Sequence, residues 1–526
     1  SMIPDSTPVI VGVGQYAPGA FDPTVPCAPV DLAAVVAELA LTDSGCAETL
    51  RASIDVVGFI RLFADMGGWA PLPFGKSTKP PRSLCHRLNI DPPHAVYSKI
   101  GGNAPQAVLN EYAEKIARGE CRALLLVGGE AQRTSDEAER EAIRLDWNED
   151  PPGSCEVLGE DEDQVGMLIS MYEIIHGLDL PAGSYALFEN ALRGQRGESS
   201  TEHMAVMGKL CARLSTVAAN NPLAAFPARR SATEIATVTA ENRRISHPFT
   251  KWMVANNRVD QAAAVIMTSA GHARALGIDA SQWVFLRGCG DCNDKLRALD
   301  HVNYFSAPAI GIAGRRALSM AGVGIDEIDC FDLYSCFPCA VELARTELGI
   351  AEDDPRDLTL TGGLPYFGGP LNAYSLHAIA EAVMRLRRTD ERYALITANG
   401  GLLSKQSVGI YSTVPDVGPW LRVDPSIDQA VLDAMPSPHI KERPAGRGCI
   451  ETFTVICKRG QPVRGVIVGR LLANNARFLA NTPEDRPDIL AWLMEGEPLG
   501  VAGEVCFTND SNSNSFMPQP FLERAK

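Results

Sequence analysis

The chain has 526 residues and a mass of 56.5 kDa, which is enough for two large domains or three to four ordinary ones. Hydrophobic residues make up 45% of it and charged residues 21%, so it can bury a large core, and disorder is excluded as its main state. Its 48 basic and 64 acidic side chains give a net charge of −16, which argues against binding to nucleic acid or to anionic membrane surfaces.

Apolar runs and helical patterns alternate along the first part of the chain. A buried strand is predicted at 8–14, a helix at 31–41 and a second strand at 55–63. A glycine-rich turn at 100–105 then precedes a helix at about 106–117 and a strand at 122–127. Gly12 and Gly14 do not form a dinucleotide-binding fingerprint, because the third glycine and the immediate helix are missing.

A later part of the chain repeats this order of elements. Strands are predicted at 283–287, 330–334 and 393–397, with helices at 308–321 and around Leu376, Ile379, Val383 and Leu386. A glycine turn at 368–372 again precedes a helix and a strand, which indicates an internal duplication. Alternating strands and helices predict an α/β protein whose two halves have parallel sheets covered on both faces.

Two segments differ in texture from these halves. We expect the boundaries 1–130 for the first half, 131–250 for a helical insertion, 251–421 for the second half and 422–526 for an added domain. In the added domain, apolar runs at 449–457, 463–471 and 501–507 without helices between them predict a small all-β domain. The Asn/Ser-rich stretch 509–516 is expected to be mobile.

Three stretches resemble the thiolase superfamily. They are 309–337 (AIGIAGRRALSMAGVGIDEIDCFDLYSCF), 242–269 and 203–227. The match is best to the sterol-carrier type and to type-1 thiolase-like proteins that carry an added C-terminal domain. The resemblance implies a duplicated fold of two βαβαβαββ-type halves in five layers, αβαβα. It also implies a helical loop domain and a β-rich C-terminal domain, for which an OB-like barrel is one candidate.

Thiolases make or break carbon–carbon bonds in acyl-CoA thioesters with a cysteine, a histidine and a second cysteine. At the matching positions this chain has Gly101, Gly369 and Ala398. None of these side chains can form a thioester or transfer a proton. The resemblance therefore implies a protein of the acetyl-CoA acetyltransferase family that binds CoA or an acyl-CoA while its ordinary thiolase activity is absent or altered.

Three residues are candidates for replacement chemistry. Tyr334 stands where the family places its oxyanion ligand, and some thiolase-fold aldolases use a tyrosine there; the alternative is a packed tyrosine. Cys336 precedes a predicted helix, whose N-terminus would favour a thiolate, but buried inert cysteines are common. Asn399 could orient a water or a carbonyl, although asparagine is also an ordinary turn residue.

Basic residues of the insertion are candidates for the CoA phosphates, because the family's loop domain binds CoA. They are Arg229, Arg230, Arg243, Arg244 and Lys251. Gly102 and Asn103, at the start of the helix at 106–117, could present backbone N–H groups to a carbonyl oxygen or a phosphate. A solvated basic face is the alternative for the cluster.

The cysteines and the remaining features limit cofactors and location. Two C-x-x-C pairs, ending at Cys292 and starting at Cys336, lie too far apart for the usual zinc spacing, so no metal is expected. No bilayer-spanning run and no secretory leader are recognised, so we expect a cytoplasmic protein with 14 reduced cysteines.

Three functions stay open from the sequence. The first is an acyl-CoA-binding protein or unusual acyltransferase of lipid metabolism. The second is an acyl-CoA carbon–carbon lyase that uses Tyr334, and the third is a non-catalytic scaffold. The expected partner is a small-molecule acyl-CoA, without nucleic acid or membrane, and either a homodimer or a monomer fits.

Overall fold

The structure is a computed structural model that describes residues 2–68 and 70–522. The first half begins with a long buried strand and continues as alternating helices and strands. Its elements are β1 (Pro8–Tyr16), α1 (Pro29–Asp43), α2 (Ala47–Ser53), β2 (Val56–Phe59), α3 (Pro80–Leu88), β3 (His94–Tyr97), α4 (Ala104–Ala117), β4 (Ala123–Ala131), α5 (Gln132–Arg140) and β5 (Glu156–Val157).

The segment that follows is mainly helical, and the chain then returns to build the second half. The helical segment contains α6 (Met171–Ile175), α7 (Pro181–Arg196), α8 (Ser200–Ala219), α9 (Ala232–Ala236), β6 (Arg244–Ser246) and β7 (Phe249–Thr250). The return and second half contain β8 (Asp260–Ser269), α10 (Ala270–Ala275), β9 (Val284–Asn293), α11 (Pro308–Ala321), β10 (Cys330–Asp332), α12 (Pro338–Leu348), α13 (Tyr374–Arg388), β11 (Tyr393–Gly400), β12 (Lys405–Ser412) and α14 (Pro425–Asp433).

Five layers arise from the way the helices cover the strands. Helices α4 and α13 lie together in the centre, and each contacts strands of both halves. Helix α1 covers β1, β4 and β8 from outside, and α11 covers β9 and β12 in the same way. The two outer contacts use matching glycine pairs, because a β-carbon on Gly12 would stand 2.2 Å from the Ala40 carbonyl and one on Gly288 would stand 2.1 Å from the Ala317 carbonyl. The internal duplication is therefore present in the packing as well as in the order of elements.

The sheet is mixed, so the prediction of purely parallel sheets was wrong. Ten strands follow the order β10-β11-β12-β9-β1-β8-β4-β2-β3-β5. Strands β2, β3, β4 and β5 pair in parallel, as do β10 and β11. Strand β8, returning from the helical segment, and β12, which follows β11 through a tight turn, run antiparallel to their neighbours. Neither strand was predicted. Strands β1 and β9, which join the two halves, also pair antiparallel.

The end of the chain forms a closed barrel. Its elements are β13 (Gly446–Lys458), β14 (Gln461–Leu471), β15 (Arg477–Asn481), α15 (Pro487–Glu495), β16 (Ala502–Thr508), β17 (Ser513–Pro518) and α16 (Gln519–Leu522). The strands pair in the order β13-β14-β15-β17-β16, and β16 pairs again with β13. Within 422–522 the structure also has helices that were not predicted: α14 and α15, of nine residues each, and α16, of four. The domain boundaries and the OB-like class of the barrel stay predictions.

The barrel is attached to the rest of the protein by buried polar contacts. The Asn190 amide of α7 donates to the Phe453 carbonyl of β13 at 2.7 Å, and β6 extends the barrel sheet next to β13. Arg477 is fully buried and donates to the carbonyls of Leu299 and His301 at 2.7 and 2.6 Å. Part of the stretch expected to be mobile is strand β17, where the Asn514 amide donates to the Leu479 carbonyl at 2.8 Å, so that expectation was wrong there.

Candidate active site

Loops from both halves meet at the N-terminal end of α4. A β-carbon on Gly102 would stand 2.3 Å from the Tyr334 hydroxyl and 2.3 Å from the Asn399 carbonyl oxygen. A β-carbon on Gly400 would stand 2.5 Å from the Asn103 side-chain oxygen. The backbone therefore approaches here as closely as glycine allows, and Gly102, Asn103, Tyr334 and Asn399, four of the predicted site residues, lie together.

The backbone at Gly101 is unlike one that would hold a nucleophilic side chain. Its φ is +143°, a conformation that favours glycine. Its N–H donates to the Asn372 side-chain oxygen at 3.0 Å, and a β-carbon would stand 2.4 Å from the Asn103 side-chain oxygen. A cysteine at position 101 would require both the backbone and Asn103 to move.

Gly369 and Ala398, the other two substituted positions, are also closely packed against neighbouring residues. The Gly369 N–H donates to the Asn256 carbonyl at 2.9 Å, and a β-carbon there would stand 2.9 Å from the Asn257 side-chain oxygen. Ala398 is fully buried in β11, opposite Ser407 of β12. The loop that contains Gly369 reaches the site through Asn372, the hydrogen-bond partner of Gly101.

A buried polar chain connects Asn399 with the helical segment. The Gln406 amide donates to the Asn399 side-chain oxygen at 2.8 Å, and the Asn399 amide donates to the Tyr185 hydroxyl at 2.9 Å. The Tyr185 hydroxyl in turn donates to the Gly401 carbonyl at 2.8 Å. These bonds hold the Asn399 side chain in one orientation. Tyr185 and Gln406 were not singled out in the sequence, because neither belongs to a family motif.

Cys336 lies beside this chain, with its sulfur 3.7 Å from the Asn399 amide nitrogen. Burial raises the pKa of the Cys336 thiol to about 12, and it outweighs the hydrogen bonds from Tyr185 and Asn399. Burial also raises the pKa of Cys339 well above its usual range. The arrangement favours protonated thiols at neutral pH, and a catalytic role of Cys336 stays a prediction.

Tyr334 differs from its neighbours in hydrogen bonding. Its backbone N–H donates to the Thr397 hydroxyl at 3.0 Å, whereas its own hydroxyl has no hydrogen-bond partner among residues 2–68 and 70–522. Burial raises the pKa of the Tyr334 phenol. A protonated phenol at this position can donate a hydrogen bond to an oxyanion, and it is poorly suited to act as a base.

A lysine that was not predicted from the sequence also lies beside Gly101. Lys405, the first residue of β12, donates from Nζ to the Ile100 carbonyl at 2.9 Å, and its Cδ lies 3.5 Å from where a β-carbon on Gly101 would stand. It opens onto a cavity of about 660 Å³ that we call the lysine cleft. The cleft is lined by Ser98, Lys99, Asn103, Val108, Leu158, Glu162, Gln164, Met167, Asp291, Leu296, Lys405, Ser407 and Arg422, among others.

The predicted basic cluster divides into two groups. Arg229 and Arg230 line a cleft of about 520 Å³ together with Lys209 and Arg213 of α8, and we call it the arginine cleft. Arg243 packs at the β13–β14 turn and Arg244 begins β6 beside the barrel, while the exposed Lys251 follows β7. Lys209 and Arg213 were not predicted as ligand contacts, because α8 lies next to Arg229 only in the folded protein.

The basic side chains of the arginine cleft differ in their contacts: two interact with neighbouring residues, and two are exposed to solvent. Arg230 lies over the Trp252 ring at 3.6 Å from its centroid, and Arg213 donates to the Arg356 carbonyl at 2.9 Å. Lys209 and Arg229 are exposed, and neither is within 4 Å of a carboxylate in the part of the chain that the structure describes. They are positioned to meet an anion from solvent.

Membrane and metal features can be reported for residues 2–68 and 70–522. No helix in these ranges is both long and apolar enough to cross a bilayer. Nowhere in them do three or more His, Cys, Asp or Glu side chains come together in a way that could hold a metal ion. All 14 cysteines are free, and the two C-x-x-C pairs are buried.

Comparisons with known proteins agree with the fold. Residues 428–510 match the family model described as thiolase-like protein type 1 additional C-terminal domain. Among curated proteins, a 3-ketoacyl-CoA thiolase of Klebsiella pneumoniae is 26% identical over 143 residues, which are 27% of this chain and 35% of that protein. The chain thus spans about a third of the curated relatives it matches, and this match covers one segment only.

Solved structures of similar fold and low sequence identity include two enzymes. The Ltp2-ChsH2(DUF35) aldolase is 18% identical with a TM-score of 0.59, over 77% of this chain and 98% of that one. An acetyl-CoA acetyltransferase from Syntrophomonas wolfei is 14% identical with a TM-score of 0.54, over 77% of this chain and 99% of that one. Both confirm the predicted thiolase fold and carry no further conclusion.

A third solved structure matches the whole chain. It is a monomeric SCP2-thiolase-like protein type 1 from Mycobacterium smegmatis, with 38% identity and a TM-score of 0.83 over 98% of this chain and 100% of that one. The match includes both halves, the helical segment and the barrel, and it confirms the resemblance found in the sequence. The chain belongs to the SCP2-thiolase-like protein type 1 family.

Proposed function

We propose that this protein binds CoA or an acyl-CoA and does not carry out the ordinary thiolase reaction. The observation that carries the proposal is the site at the N-terminal end of α4. Its glycine turns are closely packed, while Gly101, Gly369 and Ala398 stand where the family resemblance puts the two cysteines and the histidine. Glycine and alanine cannot form a thioester or transfer a proton. The protein would therefore keep the ligand-binding site of the family and lack its thiolase activity.

The arginine cleft supports an anionic ligand. In a chain of net charge −16, Lys209 and Arg229 form a local positive surface, and among the described residues neither lies within 4 Å of a carboxylate. Glu234, which also lines the cleft, pairs with Arg230 at 3.9 Å. Phosphate groups are strongly bound by such side chains, through charge-assisted hydrogen bonds. Gly102 and Asn103, at the start of α4, would receive the thioester end of the ligand. We propose the same anionic ligand for Arg243, Arg244 and Lys251 only if it extends towards the barrel.

The cysteines support a proposal about location, and the ligand supports one about the pathway. Fourteen unpaired cysteines suit a reducing compartment, so we propose the cytoplasm. An acyl-CoA ligand places the protein in lipid metabolism, and an enzyme with this ligand would be an acyltransferase of the thiolase superfamily. We also propose a monomer, because the relative from Mycobacterium smegmatis is monomeric and β5 covers the outer edge of β3.

Calorimetric titration with CoA tests the proposal. We expect CoA to bind the wild-type protein. The double variant Lys209→Ala/Arg229→Ala should bind roughly tenfold more weakly, a loss of about 1.4 kcal/mol, because two cations that would contact the phosphates are removed. Arg118→Ala is the control, because it removes an exposed arginine at the end of α4, outside the arginine cleft, and should leave the affinity unchanged. No detectable binding of CoA to the wild-type protein would refute the proposal.

A carbon–carbon lyase is the second candidate. The Tyr334 hydroxyl favours it. This hydroxyl has no hydrogen-bond partner among the described residues, so it can donate to an oxyanion that develops at the N-terminal end of α4. Tyr185 supplies a second hydroxyl, joined to the site through Asn399. Cleavage of a β-hydroxyacyl-CoA should then occur in the wild-type protein and be abolished in Tyr334→Phe. Full activity in that variant would eliminate this candidate.

A further inference from the structure

The lysine cleft is separate from the arginine cleft and has its own chemistry. It runs along α4 between β9, β12 and the segment at 158–167. Its wall combines apolar side chains, such as Val108 and Leu296, with uncharged polar ones, such as Gln164 and Ser407. A cavity of about 660 Å³ with this lining suits a small or medium-sized organic molecule that carries a few polar groups.

The cations of the cleft are not equivalent. Lys99 pairs with Glu162 at 2.9 Å, and Arg422 pairs with Asp291 at 2.9 Å. Lys405 has no carboxylate within 4 Å in the described ranges of the chain, and its hydrogen-bond partner is the Ile100 carbonyl. A carbonyl oxygen satisfies an amine without requiring that amine to be charged.

Burial and charge both favour the neutral form of this amine. Burial of Lys405 lowers its pKa, and the positive charge of Lys99 lowers it further, while Glu162 opposes them. A desolvated lysine next to a second cation is the arrangement by which proteins obtain a nucleophilic amine. The Ile100 carbonyl oxygen beside Nζ carries a partial negative charge, so it also disfavours an anionic ligand at this point.

We propose that Lys405 is a nucleophilic amine that forms an imine with a small neutral aldehyde or ketone bound in the lysine cleft. The inference does not depend on CoA binding and would hold if that binding were absent. The carbonyl carbon would lie next to Nζ in the lysine cleft, whose lining near Lys405 includes Asn103 and Gln164. A carbonyl-reactive lysine would thus stand beside the position from which the resemblance removes a cysteine.

The step balances without a further reactant. The Nζ lone pair of the neutral amine forms a bond to the carbonyl carbon, and the carbonyl oxygen takes up a proton to give a carbinolamine. Protonation of that hydroxyl by solvent breaks the carbon–oxygen bond and releases water. Nitrogen loses its remaining extra proton to solvent or keeps it as the iminium ion. No group is oxidised or reduced.

Reductive trapping tests the proposal on the full-length protein. Propanal and sodium cyanoborohydride at neutral pH convert an imine into a stable N-propyl-lysine, which mass spectrometry of proteolytic peptides locates. We expect Lys405 to be modified before Lys99, because a lowered pKa leaves a larger fraction of the Lys405 amine neutral, whereas Lys99 is paired with Glu162. Lys99 lies on the same cleft with a half-exposed side chain and is the matched internal control.

Variants exclude a coincidental product. Lys405→Met should lose the early product, while Lys458→Met, which removes an exposed lysine at the end of β13 and outside the lysine cleft, keeps it. Folding is checked by circular dichroism. If Lys405→Met does not fold, the wild-type peptide map alone decides. The proposal is overturned if labelling follows exposure, with Lys99 modified first, or if Lys405 reacts only after denaturation. CoA affinity is measured separately, so a failure of this proposal and a failure of CoA binding give different results.

Discussion

The Tyr334 hydroxyl lies directly against Gly102, where a β-carbon would stand 2.3 Å from the phenol oxygen. The same β-carbon would also stand 2.3 Å from the Asn399 carbonyl. One residue of α4's entry loop therefore fixes the distance between two loops of the second half. Tyr334, whose hydroxyl can donate a hydrogen bond to an oxyanion, can occupy this position because Gly102 has no side chain.

This contact predicts the effect of Gly102→Ala. The added methyl group must displace Tyr334 or a backbone carbonyl, so we expect a loss of about 1–3 kcal/mol in the free energy of unfolding, the usual cost of overpacking. Urea denaturation measures it. Gly19→Ala is the control, because a β-carbon on Gly19 meets no atom within 4 Å. Equal stability of the two variants would contradict the described contact.

Restoring a cysteine should not restore the reaction. In Gly101→Cys the backbone, at a φ of +143°, disfavours the side chain, and the β-carbon would meet the Asn103 oxygen. We expect a destabilised protein that forms no acetyl-cysteine from acetyl-CoA, as measured by intact-protein mass spectrometry. The double variant Gly101→Cys/Asn103→Ala removes the contact and keeps the backbone, and it should also stay unacylated. A stable acetyl adduct in either variant would show that the backbone can hold the nucleophile.

A buried histidine next to α12 makes stability depend on pH. His203 lies 2.7 Å from Glu189 and 3.3 Å from Glu198, and Glu189 accepts the Cys339 N–H at the start of α12. Burial opposes the charge on His203, but the hydrogen bonds and charges of the two glutamates outweigh it and raise its pKa to about 9. The folded protein thus holds this proton more tightly than the unfolded chain, whose histidine titrates near pH 6.5.

The sign of the pH effect follows from that difference. The stabilisation is fully present below about pH 6.5 and is lost as the pH rises through about 9, because the folded state binds the extra proton only in that window. We expect a loss of roughly 3 kcal/mol across it, measured by urea denaturation at several pH values. The double variant His203→Gln/Glu189→Gln, a neutral pair, should lack this loss. An equally steep profile in the double variant would contradict the assignment.

The attachment of the barrel depends on Arg477. Because this buried guanidinium satisfies the Leu299 and His301 carbonyls and pairs with Glu451 at 2.8 Å, Arg477→Met should cost about 3–5 kcal/mol. Thermal unfolding followed by circular dichroism measures the loss. The exposed Arg118, paired with Glu114 at 3.6 Å, is the control, and Arg118→Met should change stability by less than about 0.5 kcal/mol. Equal effects would indicate that Arg477 does not secure the barrel.

Local patterns in the sequence predicted much of the fold. Helix α11 was predicted at the bounds observed, because its apolar spacing and its flanking Pro308 and Gly322 are local signals. Strand β12 was missed, because its polar residues become buried only when α4 and β9 cover them. Lys405 was missed for the same reason, since its partner Ile100 is distant in the chain and no short-range pattern reports such a contact.

The predicted basic cluster shows the opposite limit. Arg229 and Arg243 are close in the chain and were grouped, but α9 and β6 carry them to different surfaces. Tyr334 and Asn399, in contrast, were each chosen from the family's catalytic motifs, and the structure places both beside Gly102. Long-range proximity was recoverable from the resemblance and not from charge patterning.

The most direct test of the central claim is a thiolysis assay with acetoacetyl-CoA and free CoA at stoichiometric protein concentration. Chromatographic separation of the CoA species measures the acetyl-CoA formed. The lost side chains at positions 101, 369 and 398 predict no acetyl-CoA above the rate without protein, in samples where binding of acetoacetyl-CoA is detected by calorimetry. Formation of acetyl-CoA at a rate that scales with protein concentration would contradict the account.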